Sequence, residues 1–156
     1  MNRLETSLFT VGLRVFEELA FMLPYPVLDE EQACAKPEAA VTVEFSGPMN
    51  GMLLLTLSGQ LLSALAANML GEDSPPTELD KNDALKEIAN VICGNLLPHI
   101  GGPAAVLDIS PPQVRELQSL KGEISDDPVV HQSIGFEGGR ADLQLFLWGG
   151  SLLQES

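Results

Sequence analysis

Apolar residues recur every three or four positions in three parts of the sequence, a spacing typical of helices with one buried face. The predicted helices span residues 3–23, 60–70 and 77–97. Pro24 and Pro98 end the first and the third, because proline cannot donate the hydrogen bond that continues a helix. Gly71 closes the second, since glycine readily adopts the left-handed conformation that follows many helices.

Apolar and polar residues alternate one by one in other segments, and a period of two indicates half-buried strands. Residues 41–45 alternate in this way, and turn-forming residues at 47–51 then lead to the apolar run 52–57. A similar pattern returns at 129–136 and 141–148, around a Glu-Gly-Gly-Arg turn. Each pair of segments predicts a β-hairpin.

The remaining segments have weaker patterns. Residues 27–40 are acidic and mixed, which predicts a loop with a short strand. Residues 104–109 form a predicted strand, followed by a Ser-Pro-Pro turn at 110–112. Residues 113–128 are mixed and charged, and their pattern supports no assignment.

The two halves of the sequence resemble each other. Each begins with a helix of about 20 residues and carries a later hairpin, and residues 43–47 match 134–138 in apolar pattern. A loose internal duplication explains this, and chance similarity between two hairpins is the alternative. A duplication predicts an α+β fold in which two long helices, related by a pseudo-twofold axis, pack on one side of an antiparallel sheet.

The charge of the chain argues against several classes of function. Its 156 residues include 22 acidic and 8 basic side chains, a formal net charge of −14. Nucleic acids and anionic membrane surfaces are bound through basic patches, so neither is an expected partner. Hydrophobic residues make up 45% of the chain, too many for a disordered acidic protein, and the length fits one domain over residues 1–156.

Neither a membrane helix, a secretory signal nor a metal site is expected. The 27 residues from 45 to 71 carry no charge, but glycine, proline and polar residues interrupt them. No apolar block there reaches the length of about 20 residues that a membrane helix needs. Charged residues interrupt the N-terminal segment, so a cytoplasmic protein is the expectation. The two cysteines and two histidines lack the spacing of metal ligands.

The third predicted helix separates into two faces. At 100° per residue, Leu85 and the apolar residues that follow it form a stripe that we expect to pack against the rest of the protein. The opposite, solvent-facing ridge consists of Asp83, Glu87, Asn90 and Gly94. Glu87 and Asn90 are three positions apart, so their side chains are neighbours on the helix surface.

Gly94 is an unusual residue for an exposed helix position. Glycine inside a helix costs about 1 kcal/mol relative to alanine. Close approach of another molecule would explain it, and tolerance of a neutral flaw or close packing against a neighbouring loop are the alternatives. A glutamate and an asparagine on a solvated helix face are ordinary, so their spacing alone assigns no function.

The segment Asp83–Gly94 resembles the ExxNxxxG signature of the CheX/CheC/FliY family of chemotaxis phosphatases, with Glu87, Asn90 and Gly94 at the fixed positions. The order of predicted elements is similar as well, over most of the chain. This resemblance implies a CheC-like fold. It also implies an activity, removal of the phosphoryl group from the aspartate of a CheY-like response-regulator receiver domain.

The same resemblance implies a role for each residue of the ridge. Asn90 would orient the attacking water, and Glu87 would pair with the lysine of the receiver's active site. Asp83, Lys86 and Gly94 would contact the partner, although solvated surface charge is the alternative for the first two. The divalent ion of such a reaction belongs to the receiver, so no cofactor is expected on this chain.

The sequence also departs from part of the family. CheC-type members carry two ExxN motifs, whereas the first helix here has Glu17 followed by Ala20 and Phe21, where an asparagine would be needed. The chain therefore resembles the single-site CheX branch, which implies a homodimer joined through its sheets. A non-catalytic receiver-binding or scaffold module is the main alternative. A flagellar-switch-type structural subunit is less favoured, because the sequence shows no separate motif for assembly.

Overall fold

One antiparallel sheet organises the chain in a computed structural model that describes residues 2–71, 74–102, 106–124 and 127–150. The helices are α1 (Arg3–Ala20), α2 (Glu30–Ala33), α3 (Leu61–Leu70), α4 (Glu78–Gly101) and α5 (Leu117–Glu123). The strands are β1 (Pro37–Ser46), β2 (Met49–Gly59), β3 (Asp108–Ile109), β4 (Gln113–Arg115), β5 (Val130–Phe136) and β6 (Gly139–Gly150). The predicted α+β class is confirmed.

The sheet places the two predicted hairpins side by side. Strands β1 and β2 form one hairpin, β5 and β6 form the other, and β2 pairs with β6, which gives the order β3-β1-β2-β6-β5 with β4 also paired to β1. In the β2–β6 ladder, Leu53 and Leu55 pair with leucines on either side of the central pair Leu54–Gln144. This symmetric arrangement is the one that a duplication with a pseudo-twofold axis predicts.

The long helices pack on one face of the sheet. Alternate residues of a strand point to opposite faces, so the odd-numbered residues of β1, β2 and β6 reach the helices. The rings of Phe16 and Phe136 lie 4.9 Å apart and connect α1 to β5. Fully buried members of this core include Leu8, Phe16, Leu53, Leu55, Leu85, Ile88, Ile92, Leu143 and Leu145. Each such side chain contributes about 1.5–3 kcal/mol by leaving water.

The other face of the sheet carries a smaller apolar cluster. Leu120 of α5 covers Met52, Leu54 and Phe146 there. Residues 113–128, which the sequence left unassigned, supply this cover, since β4 and α5 lie within them.

Two helix ends differ from the prediction. Helix α1 ends at Ala20, because Phe21 adopts a left-handed conformation with φ of 54° and closes the helix before the proline is reached. Helix α4 continues through Pro98 to Gly101, so the predicted stop at Pro98 is wrong. One proline removes a single N–H donor, and the burial of Ile100 in the following turn outweighs that loss.

Three connections complete the comparison. Gly71 closes α3 with φ of 67°, as predicted. The acidic segment 27–40 contains α2, a short helix that the prediction missed, and the start of β1. The strand predicted over 104–109 is limited to β3 in the described part of the chain, since residues 103–105 lie outside it.

Candidate functional site on helix α4

Helix α4 is fixed at its start by a reciprocal cap and along its length by a buried face. The Thr77 hydroxyl accepts a hydrogen bond from the Asp80 N–H at 3.1 Å, and the Asp80 carboxylate accepts one from the Thr77 N–H at 2.9 Å. Leu85, Ile88 and Ile92 are fully buried, as the periodicity predicts. The opposite face of α4 is therefore held in a defined orientation towards solvent.

The predicted site residues all lie on the exposed surface of this helix. They are Asp83, Lys86, Glu87, Asn90 and Gly94. Glu87 and Asn90 are separated by one helical turn, which places their Cβ atoms about 5–6 Å apart. Burial of either residue would have excluded a docking role, and both are exposed.

The chemistry available on this ridge is that of positioning. An amide can donate a hydrogen bond to water and accept one from it without a change of charge, and a carboxylate pairs with a cationic side chain. Neither group is a strong nucleophile. Asn90 and Glu87 can therefore orient a water molecule and hold a partner's cation, provided that the reactive bond is brought by that partner.

The space around Gly94 bears on the question of why a glycine is there. A Cβ built at this position would contact one atom outside its own helix among the described residues, Cδ1 of Ile109 at 4.0 Å. That is an ordinary contact, so close packing against a neighbouring loop is wrong as an explanation. The close approach of another molecule and a tolerated flaw remain.

Ile109 forms an apolar wall beside the ridge that the sequence did not reveal. It pairs with Phe45 of β1 and is 37% exposed. The Ser110 N–H donates to the Glu44 carbonyl at 2.8 Å and fixes the next residue of this edge. Sequence spacing could place Ile109 in a strand but could not show that the strand passes α4, because that proximity arises from the sheet order.

Pro98 adds a second irregularity to the exposed end of α4. It follows Gly94 by four residues and has no N–H, so it cannot make the regular helical bond to the Gly94 carbonyl. Glycine and proline cost a helix interior about 1 and about 3 kcal/mol, respectively. Local choices that oppose the fold are expected at functional sites, and two of them coincide here.

Helix α1 does not carry a second pair of this kind. Glu17 is exposed, but Ala20 is fully buried, and Phe21 lies beyond the end of the helix. The described part of α1 therefore presents no carboxylate beside an amide at the equivalent position, in agreement with the sequence.

A serine, a histidine and an aspartate meet on the other face of the sheet, but their geometry is not that of a nucleophilic triad. The Asp142 carboxylate accepts hydrogen bonds from Ser133 Oγ at 2.5 Å and from Arg140 Nε at 2.8 Å. His131 Nε2 lies 3.2 Å from the same carboxylate and 3.4 Å from Ser133 Oγ. Because one ring nitrogen faces both groups, the imidazole cannot relay a proton between them.

This cluster anchors α2 to the sheet. Burial raises the pKa of Asp142, but its side-chain hydrogen bonds and the charge of Arg140 outweigh burial and hold that pKa below its ordinary value of 3.8. The stable carboxylate fixes the Arg140 guanidinium, which donates to the carbonyls of Gln32 at 2.6 Å and Ala33 at 2.9 Å. The arrangement is an anchor rather than a catalytic centre.

Other kinds of site find little support in the ranges that the structure describes. Those ranges contain no group of three or more side chains able to hold a metal ion. No helix in them combines the length and the apolar character needed to cross a membrane. Burial raises the pKa of Cys93 to about 12, so its thiol is unreactive at neutral pH.

A family model decides the relationship of this chain to known proteins. The model described as chemotaxis phosphatase CheX matches residues 39–134, more than half of the sequence. The chain belongs to the CheX family. The matched range includes α4 with its exposed ridge and β3 with Ile109. No curated protein matches the sequence significantly.

Solved CheX structures share the fold of this CheX-family chain. A chemotaxis protein CheX from Desulfovibrio desulfuricans superposes with a TM-score of 0.71 at 19% identity, over 93% of this chain and 99% of that one. CheX from Vibrio vulnificus gives 0.67 at 15% identity, over 93% and 96%. A CheX–CheY–BeF3–Mg2+ complex from Borrelia burgdorferi gives 0.64 at 15% identity, over 92% and 97%.

Proposed function

We propose that this protein removes the phosphoryl group from the aspartyl phosphate of a CheY-like receiver domain, with Glu87 and Asn90 as its working pair. The observation that carries the proposal is the exposure of both side chains, one turn apart, on the capped helix of a CheX-family fold. The Borrelia relative was crystallised with CheY, which supports a receiver as the partner here.

The chemistry of an aspartyl phosphate suits the groups on the ridge. An acyl phosphate is already activated, so its hydrolysis needs correct positioning of water more than a strong base. In the proposed complex the Asn90 amide holds the attacking water in line with the phosphorus. Glu87 pairs with the lysine of the receiver's active site, and the receiver supplies the divalent ion.

The surroundings of the pair supply the docking surface. Asp83 and Lys86 flank it on the same exposed helix, where they can contact charged groups of the receiver. Gly94 lets the receiver's backbone approach, and Ile109 offers apolar contact beside it. The Gly94 carbonyl, without an N–H from Pro98, can accept a hydrogen bond from the partner.

Replacement of Gly94 with alanine tests that close approach. The added methyl group has room within the protein, so the free energy of unfolding should rise by about 1 kcal/mol, as helix propensity dictates. The same methyl group would meet the receiver, so receiver affinity should fall. Thermal denaturation and titration with the receiver measure the two effects. A stabilised variant with unchanged affinity would show that Gly94 is a tolerated flaw.

The function itself is tested by mixing the protein with phosphorylated receiver domains from the same genome and following the loss of the phosphoryl group. Faster decay than that of each receiver alone is the expected result for at least one receiver. Unchanged decay of every receiver tested would contradict the phosphatase activity. If a receiver still bound, the non-catalytic receiver-binding module would be the correct function.

The homodimer, the single domain over residues 1–156 and the cytoplasmic location stay predictions. None of them is needed for the chemistry proposed for Glu87 and Asn90, because both residues lie on one helix of one chain.

A further inference from the structure

Four large apolar side chains project into solvent from the short segment between α1 and α2. Phe21 is 74% exposed, Leu23 68%, Tyr25 41% and Val27 78%, and we call these four residues the apolar row. They alternate with residues that face the protein, such as the buried Met22. Contiguous exposed apolar residues on a monomer commonly mark an interaction surface.

The backbone holds the apolar row in a fixed conformation. Phe21 is left-handed, which is uncommon for a bulky residue, and such outliers concentrate at functional sites. Its N–H donates to the Glu17 carbonyl at 3.0 Å, and the Tyr25 N–H donates to the Gly135 carbonyl of β5 at 2.8 Å. Prolines at 24 and 26 restrict the segment further. A row held in this way can bind without a large loss of conformational entropy.

An acidic cleft adjoins the apolar row at Tyr25. The cleft has a volume of about 610 Å³, and its lining includes the carboxylates of Asp29, Glu31 and Glu137. No lysine or arginine lines it. Between Arg14 and Lys36 the sequence contains five acidic residues and no basic one. The surface therefore combines large apolar side chains with uncompensated negative charge.

We propose that the apolar row and its acidic cleft bind a basic, apolar segment of a partner protein. Large apolar side chains of that segment cover Leu23 and Val27, while a lysine or arginine enters the cleft beside Tyr25, whose ring can also stabilise the cation. A second copy of this chain fits poorly, because a symmetric contact would bring the two acidic margins together. An anionic membrane would be repelled for the same reason.

This surface is separate from the proposed phosphatase site. The row packs along β5, whereas Ile109 beside Gly94 belongs to β3, and these two strands form opposite edges of the sheet. The row also precedes residue 39, where the match to the CheX family begins. The inference therefore does not depend on the proposed function.

The test uses two short fluorescent peptides, one alternating leucine with lysine and one alternating leucine with glutamate. Fluorescence anisotropy in about 0.15 M salt measures their affinity for the full chain. The Leu23→Ser, Val27→Ser double variant removes apolar contact. Leu79→Ser, Val129→Ser is its matched control, since both of these residues are exposed elsewhere. Glu31→Gln, Glu137→Gln removes charge from the cleft. Circular dichroism confirms that each variant is folded.

The lysine peptide should bind the wild type, and the Leu23→Ser, Val27→Ser variant should weaken binding about tenfold or more while the control pair changes it less than about twofold. The cleft variant should weaken binding and reduce its salt dependence. Three results would overturn the proposal: equal binding of the glutamate peptide, equal binding by the row variant, or a wild-type dimer that the row variant dissociates in sedimentation. Loss of receiver dephosphorylation in the row variant would also overturn it, by assigning the row to the receiver.

Discussion

Replacement of Asn90 with alanine is expected to lower the rate of receiver dephosphorylation by about 100-fold or more while receiver binding is largely retained. The reason is that the amide acts on the water in the transition state, and removal of one such positioned hydrogen-bonding group commonly costs a factor of this size. Single-turnover decay of the phosphorylated receiver measures the rate, and titration measures the affinity.

The same helix provides a matched control for this substitution. Asn95 is also exposed on α4, but its side chain donates to the Val91 carbonyl at 2.7 Å within the helix. Asn95→Ala should leave both rate and affinity unchanged. Full activity of Asn90→Ala would refute the water-positioning role. An equal loss in both variants would show that the helix, rather than the amide, was disturbed.

Substitution of Glu87 by lysine should act on binding instead of chemistry. The carboxylate is proposed to pair with the receiver's lysine, so a reversed charge turns attraction into repulsion and should weaken binding about thirtyfold or more, or ~2 kcal/mol. Because Glu87 is exposed, the free energy of unfolding should change little. Titration with the receiver at two salt concentrations measures both the affinity and its electrostatic part.

Glu18→Lys serves as the control for this charge reversal. Glu18 is equally acidic and exposed, but it lies on α1 rather than on the ridge. Each substitution changes the net charge of the chain by the same amount, so a loss of affinity confined to Glu87→Lys would identify a local contact. Comparable losses in both would mean that the total charge of the protein, not Glu87, governs association.

The sequence predicted the parts of this fold that depend on regular periodicity. The apolar stripe around Leu85 and the alternation in the two hairpins identify their buried faces directly, because those faces repeat every few residues. Both hairpins and all three long helices are present, and the exposed ridge on α4 is where the helical period places it. Tertiary packing reinforced these local preferences.

The misses occurred where tertiary contacts override local signals. Pro98 reads as a stop in sequence, but the burial of Ile100 carries α4 past it. Helix α5 has little pattern of its own and is buried chiefly through Leu120, which packs on the sheet. Ile109 reaches Gly94 only because β3 pairs with the outer edge of β1. These proximities depend on sheet order, which spacing along one chain does not specify.

The buried Ala20 has a consequence for how a cell would use this protein. The two halves of the fold offer two equivalent places for an active helix, and only the second is equipped with a carboxylate and an amide. If Glu87 and Asn90 act as proposed, each polypeptide serves one receiver at a time. Signal clearance then scales with the number of copies made, and any cooperativity in that clearance must arise between polypeptides, never within one.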